Sequence, residues 1–332
     1  KFQELLVNLR NTVTGKRISL EVLGFGQYSY FYIVCDANLL ETMESLIYAT
    51  YPDAEINEVQ DYTQMIRPET QAIAGAVLDL READIYPIMT HDRFEEDSQS
   101  RLFSVISKIA SGDQVWVQII CEPRGESALY HFFRGWRFRL SNIKKFFSIR
   151  DRFREGGRRG IQVVRYERAK EKEQSKPFKV SVRCAYLSNT PEAARRKLEA
   201  VINSFYQFND ENINSFAGHV MGNAERFLAK YRARTHADTF IFSAKEVATL
   251  YHFPNADEVP HVVHVLARKS DPPQDLPRIG ERDVSGFGIT NYHNNFIPFG
   301  IRRSDRRRHL YIVGKSGVGK SKLIELLVLD DL

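Results

Sequence analysis

Alternating apolar and polar positions recur along the chain and predict short strands separated by turns and helices. Ile18-Ser-Leu-Glu-Val-Leu23 alternates with a period of two, Gly24-Phe-Gly26 supplies a turn, and Tyr28–Cys35 is rich in β-formers. A strand rather than a helix follows the glycine pair, so a β-hairpin is expected there and not a nucleotide loop. Asn38 has N-cap chemistry with Glu41 three residues on, and Met43, Leu46, Ile47 and Thr50 then fall on one helical face that Pro52 terminates. Ala54–Val59 reads as the closing strand. The same order returns in residues 72–122. Ala72–Leu80 and Ile85–Met89 read as strands, and Asp97-Ser98 precedes a helix with Leu102, Val105, Ile106 and Ile109 on one face. Gly112-Asp113 makes a turn before the β-prone Gln114–Cys121. The two segments share no obvious identities. The expectation is therefore a structural repeat, an α+β fold of tandem ferredoxin-like (ββαβ) units with each helix covering one sheet face.

Phe178–Leu187 alternates again, and Thr190-Pro191 has the chemistry of an N-cap followed by the first helical position, with Leu198, Val201, Ile202, Phe205 and Tyr206 on the buried stripe. Residues 209–214 are polar and loop-like, and residues 218–236 read as a basic helix. Ser243-Ala-Lys-Glu246 is a capping box opening a short helix with Val247 and Leu250, closed by His252-Phe253-Pro254. His261 and His264 lie in a β-prone run, where a spacing of three points them to opposite faces and argues against a shared metal. Residues 270–280 form a proline-rich connector, and Gly286–Ile301 resembles short strands. The organisation expected is 1–123 as tandem α+β units, 124–175 as an excursion, 176–269 as a third α+β unit with a helical extension, 270–285 as a linker, and 286–332 as the start of a further domain.

Charge changes the picture in one place. The 332 residues are 43% hydrophobic and 27% charged, with a net charge of +5, which marks globular rather than disordered or fibrous material. Residues 131–175 hold 14 basic and 5 acidic residues, a local net of +9, so the remainder, with 33 basic and 37 acidic residues, is net −4. Phe132, Phe133, Trp136, Phe138, Phe146 and Phe147 interleave there with arginines and lysines. Three readings stand: a single-stranded nucleic-acid surface, an amphipathic helix on an anionic membrane, or a solvated excursion whose aromatics pack on the domain. Trp116 and its strand lack an RNP-type pattern, so that residue is expected in the core. Cys35, Cys121 and Cys184 are far apart and odd in number and sit in strand-like runs, the pattern of reduced core thiols in a cytosolic setting. No apolar run reaches the ~20 residues of a membrane span. No secretory leader is evident, and an upstream segment before Lys1 is compatible with the sequence.

The chemistry is concentrated near the other end. Gly314-Lys315-Ser316-Gly317-Val318-Gly319-Lys320-Ser321 fits G-x-x-x-x-G-K-[ST] at every fixed position. Leu310–Val313 before it reads as a strand and Lys322–Leu327 after it as a helix, the context a phosphate-binding P-loop needs. Loop N–H groups and the helix N-terminus would face phosphate, Lys320 would reach the β- and γ-phosphates of ATP, and Ser321 would hold Mg²⁺. Leu326–Asp331 ends in acids, but it follows Ser321 so closely that a continuing helix is expected rather than a second acidic strand. The basic run Arg302, Arg303, Arg306, Arg307, Arg308 and His309 precedes the motif. A nucleotide, a neighbouring subunit, DNA and plain solvent are its open partners.

Ile18–Leu23 with Tyr48–Ile56, Val115–Ile119 with Pro123, Tyr206–Asn209, Ala248–Pro254 and above all Asp305–Ser321 resemble the ATPases of type IV secretion and conjugative DNA transfer, in the HerA/FtsK-like group of P-loop motors. Only the P-loop is a sharp motif among these. The resemblance implies an α+β N-terminal region followed by a RecA-like motor. It also implies a homo-oligomeric ring, typically a hexamer, at the cytoplasmic face of the cell membrane, working with other secretion components and using ATP hydrolysis to move DNA or protein. Site residues carry over only at Gly314, Gly317, Gly319, Lys320 and Ser321. The family's second acidic motif, polar sensor and arginine finger are expected beyond Leu332. The 332 residues alone are expected to bind nucleotide without turning it over. Two rivals are a non-catalytic assembly or membrane-docking module built on residues 1–270 and a nucleic-acid-binding module built on 131–175.

Overall fold

The computed structural model describes residues 1–13, 15–26, 28–66, 71–124, 157–175, 177–236, 238–254, 271–292, 295–315 and 317–331. Most of the basic aromatic stretch, both histidines of the His261–His264 pair, and Ser316 of the glycine loop lie outside these residues. The chain forms two compact units, Lys1–Thr50 with Asp61–His264, and Tyr51–Gln60 with Val265–Leu332.

The first unit runs α1 (Phe2–Thr12), β1 (Ile18–Phe25), β2 (Tyr28–Val34), α2 (Leu40–Thr50), β3 (Ala72–Leu80), α3 (Ser100–Ile106), β4 (Gln114–Pro123), α4 (Gly157–Glu173), β5 (Pro177–Ser188), α5 (Pro191–Ser204), β6 (Phe216–Val220), α6 (Ala224–Arg232), β7 (Phe240–Ser243) and α7 (Ala244–Leu250). Its strands make one antiparallel sheet in the order β2-β1-β4-β5-β3-β6, with β7 also pairing β5. The fold is α+β. The two expected ββαβ segments do not build separate sheets. β1 of the first pairs with β4 of the second, while β3 is separated from β4 by β5. The twelve-residue β5 explains this, because it is buried along nearly its whole length. It pairs with β4 along one edge, and its other edge takes β3 at Val182–Ser188 and β7 at Pro177–Val180.

Both faces of the sheet are covered. Leu23 packs with Tyr62, Trp116, Phe227 and Tyr231 on one side. Gly24 faces the opposite way, and a Cβ there would strike Ile106 of α3 at 2.8 Å. On the Leu23 side, a Cβ on Gly75 would lie 2.3 Å from the Phe227 ring, so only glycine lets α6 settle onto β3. Trp116 is a core residue, as expected, and Thr190 and Ser243 cap their helices as expected.

Several expectations are not met. Ala54–Val59 is not a strand; its residues are irregular in backbone and exposed or half-buried. Ile85–Met89 is not a strand. Its backbone is satisfied instead by Glu246 Oε1 on Ile88 N, by Asn214 Nδ2 on Tyr86 O and by Phe208 O on Met89 N. Asn38 is inside a 3₁₀ turn (Ala37–Leu39) whose N-cap is Asp36, and α2 begins at Leu40. The basic helix is shorter than 218–236 because Phe216–Val220 pairs with β3. Tyr206 is exposed on a 3₁₀ turn and not on the stripe of α5. Cys121 and Cys184 are buried strand thiols, burial pushing Cys184 up to about 12, but Cys35 lies just past β2 and is half-buried. The helix α1, not anticipated above, buries Phe2, Leu5, Leu6 and Leu9, whose i, i+3, i+4, i+7 spacing is plain in the sequence. No helix among the described residues is long and apolar enough to cross a membrane.

The second unit holds a hairpin of β8 (Val284–Ile289) and β9 (Pro298–Arg302), bulged at Gly286/Gly288, and the helix α8 (Lys320–Asp331). Leu310–Val313 is not a strand in it. Tyr311 is 90% and Val313 75% exposed, and no ladder partner lies beside them among the described residues. α8 runs on through Leu326–Asp331, so the acids there end a helix, as expected, and not a second strand.

Candidate nucleotide-binding loop

The glycine loop turns directly into α8. Gly317 and Gly319 sit at φ +84° and +92°, a region that L side chains avoid, so the two glycines permit the tight wrap. Leu323 N donates to Gly319 O at 3.0 Å, which closes the first turn of the helix on the last loop glycine. Lys320 begins α8 and folds back, its Nζ donating to Gly314 O at 2.7 Å and Lys315 O at 2.6 Å. The ammonium is thus held at the mouth of the loop by two neutral carbonyls, acceptors that phosphate oxygens can replace at a gain in charge–charge attraction. Ser321 follows in the first turn, and Val318 is exposed on the loop. These residues fit a triphosphate by chemistry: backbone donors, a cation and a hydroxyl at a helix N-terminus. Among the described residues no cluster of His, Cys, Asp and Glu is arranged to hold a metal by itself. Ser321 would offer its hydroxyl to a Mg²⁺ ion here.

The basic run before the loop divides in two. Half-buried Arg306 donates to Ser285 Oγ and Leu327 O, while Arg302, Arg303, Arg307 and Arg308 are exposed, Arg303 nonetheless donating to Asp330 O.

The first unit holds polar clusters that the sequence reading did not find. Ser181, His236 and Glu122 are drawn together by the β4–β5 pairing, with His236 Nδ1 3.0 Å from Ser181 Oγ and Nε2 3.3 Å from Glu122 Oε2. The residue types match a hydrolase triad, but Ser181 is fully buried and no substrate can reach its hydroxyl. The cluster is structural. Burial, with Lys179 adding to it and Glu122 opposing, pushes His236 down to about 4 from an ordinary 6.5. Between those values the unfolded chain binds more protons than the folded one, so stability falls as pH drops from about 6.5 to about 4. The urea midpoint should decline over that window in the native chain, and the slope should flatten in His236→Gln. Equal slopes would refute the assignment.

A second cluster centres on Glu21, fully buried on β1. Its carboxylate accepts from Ser19 Oγ (2.6 Å), Tyr62 OH (2.7 Å), Gln118 Nε2 (2.9 Å) and Arg234 Nε (2.9 Å). Every oxygen is occupied, which is the arrangement of a stabilising network rather than of a reactive acid.

No curated protein shows significant similarity to the chain. A family model does match residues 4–263, a range that takes in nearly all of the first unit and stops before the glycine loop. By that match the chain belongs to the family described as Domain of unknown function (DUF8128).

Proposed function

We propose that the chain is the N-terminal region and phosphate-binding loop of an ATP-driven motor of the type IV secretion and conjugation kind. The observation that carries this reading is Lys320 folded onto Gly314 O and Lys315 O, at the head of α8 and behind two left-handed glycines. When nucleotide binds, this lysine would exchange carbonyls for β- and γ-phosphate oxygens, and Ser321 would take Mg²⁺. The metal supplies charge neutralisation of the phosphates. The chain's own part is to orient them.

The exposed apolar residues of the second unit support the same reading. Leu310, Tyr311 and Val313, with Ile324, Leu326, Val328 and Leu329 of α8, lie on a segment and a helix that bury almost nothing. Apolar side chains left exposed in this way fit further strands and helices of an α/β domain packing on them, as a RecA-like motor provides. Ring assembly at the cytoplasmic face of the membrane, and DNA or protein as cargo, follow from the same proposed membership. In the full-length parent, Lys320→Ala should lower ATPase activity on the order of a hundredfold. Equal activity in the two proteins would sink the assignment.

One observation favours a second reading. The DUF8128 match ends at residue 263, so the first unit is a module defined without the loop. It could serve as a non-catalytic assembly or docking part of a larger complex. Failure of the full-length parent to bind ATP–Mg²⁺ would select that reading over the motor.

A further inference from the structure

The basic run before the glycine loop contains an arginine with a definite task. Arg306 NH1 donates to Ser285 Oγ at 2.9 Å, and its NH2 donates to Leu327 O at 3.0 Å. Ser285 is a fully buried residue of β8, and Leu327 is the buried apolar residue of α8 among exposed Ile324, Leu326, Val328 and Leu329. One guanidinium therefore joins the hairpin to the helix at the point where that helix is anchored. Arg303 adds to the join, its backbone N donating to Asp283 O at 2.8 Å and its NH2 to Asp330 O at 3.0 Å. Arg307 next door is exposed.

The loop lies at the other end of the same helix. Lys320 and Ser321 precede Leu327 by about two turns, roughly 10 Å at the helical rise. A helix is stiff over that length. With so little apolar surface holding α8, its orientation depends on Leu327 and on the hydrogen bonds beside it.

We infer that Arg306 is a positioning residue for the nucleotide loop. It sets the angle of α8 against the β8–β9 hairpin, and so the place of Lys320 and Ser321, without touching nucleotide. The planar fork matters, because two acceptors on different elements are reached at once, which the single ammonium of lysine does not reproduce. This inference rests on the proposed nucleotide site.

The test uses the full-length parent, a fluorescent ATP analogue with Mg²⁺ for affinity, and hydrogen exchange of α8 without nucleotide. Arg306→Met should weaken binding about tenfold, the loss of roughly one charged hydrogen bond, and should speed exchange along α8. Arg306→Lys should recover only part of the affinity. Ser285→Ala, which keeps the arginine and removes one acceptor, should give a smaller loss in the same direction and covers the case in which Arg306→Met does not fold. Arg307→Met should bind as the native protein does. Native affinity in Arg306→Met, or in Ser285→Ala if Arg306→Met does not fold, would overturn the inference. So would an equal loss in Arg307→Met, which would point to bulk charge. If instead the native protein does not bind the analogue, or Lys320→Ala binds it equally well, the nucleotide reading fails first and takes this inference with it.

Discussion

Arg234→Ala should cost the first unit about 3 kcal/mol or more in urea unfolding, the loss expected when one partner of a buried ion pair is removed. Arg234 Nε lies 2.9 Å from Glu21 Oε1, and its NH1 lies 2.7 Å from Asp61 Oδ2. Glu21 is fully buried, so without the guanidinium its charge keeps only the neutral donors Ser19, Tyr62 and Gln118. Asp61 marks the point where the chain re-enters the first unit, and its carboxylate also accepts from Thr63 N. Burial would raise the Asp61 carboxyl, but the hydrogen bonds from Arg234 and Thr63 outweigh it and hold it low. Two graded variants sharpen the result. Glu21→Gln added to Arg234→Ala should recover part of the loss by removing the uncompensated charge. Arg234→Gly should cost less than Arg234→Ala by about 1 kcal/mol, because Arg234 sits at φ +46°, where glycine has no strain. A loss below about 1 kcal/mol in Arg234→Ala would show that the pair contributes no more than a surface salt bridge.

Glu246→Ala should be comparably damaging, at about 3–5 kcal/mol. One oxygen of Glu246 completes the capping box through Ser243 N at 2.8 Å and Ser243 Oγ at 2.9 Å. The other accepts from Lys172 Nζ at 2.8 Å and Ile88 N at 3.2 Å. Alanine therefore removes a cap, deprives a buried ammonium of α4 of its carboxylate, and leaves the Ile85–Met89 segment without one of its anchors. The control is Thr190→Ala, an exposed N-cap on α5 whose loss should cost about 1 kcal/mol. If the two variants lose the same amount, Glu246 acts only as a cap. Glu246→Gln, which keeps acceptor chemistry without the charge, should fall between them.

Glu246 also shows where the sequence stops being informative. The pair Ser243 and Glu246 was legible as a capping box because the motif is closed within three residues. Nothing in that motif announced Lys172, 74 residues away, or Ile88. Glu21 is a stronger case. In Ile18-Ser-Leu-Glu-Val-Leu23 the polar positions alternate with apolar ones, as on a strand with one wet face, yet β1 is buried on both faces. The face carrying Ser19, Glu21 and Leu23 is covered by the turn at Tyr62 and by Tyr231 of α6, contacts that no local pattern contains.

The same division runs through the candidate loop. In Gly314–Ser321 the glycine turn and the helix behind it were legible, and Gly317 and Gly319 are left-handed as glycines in a tight loop can be. The strand expected at Leu310–Val313 was not decided by its residues, nor were those at Ala54–Val59 and Ile85–Met89. Capping boxes such as Ser243–Glu246, hairpin turns and glycine conformations are settled by hydrogen bonds and sterics within a few residues, so the sequence shows most of them, though not the cap expected at Asn38. Which β-prone runs become strands depends on what they find to pair with, and which charges are buried depends on what packs above them. Both are properties of residues distant in the chain, and only the tertiary structure brings those together.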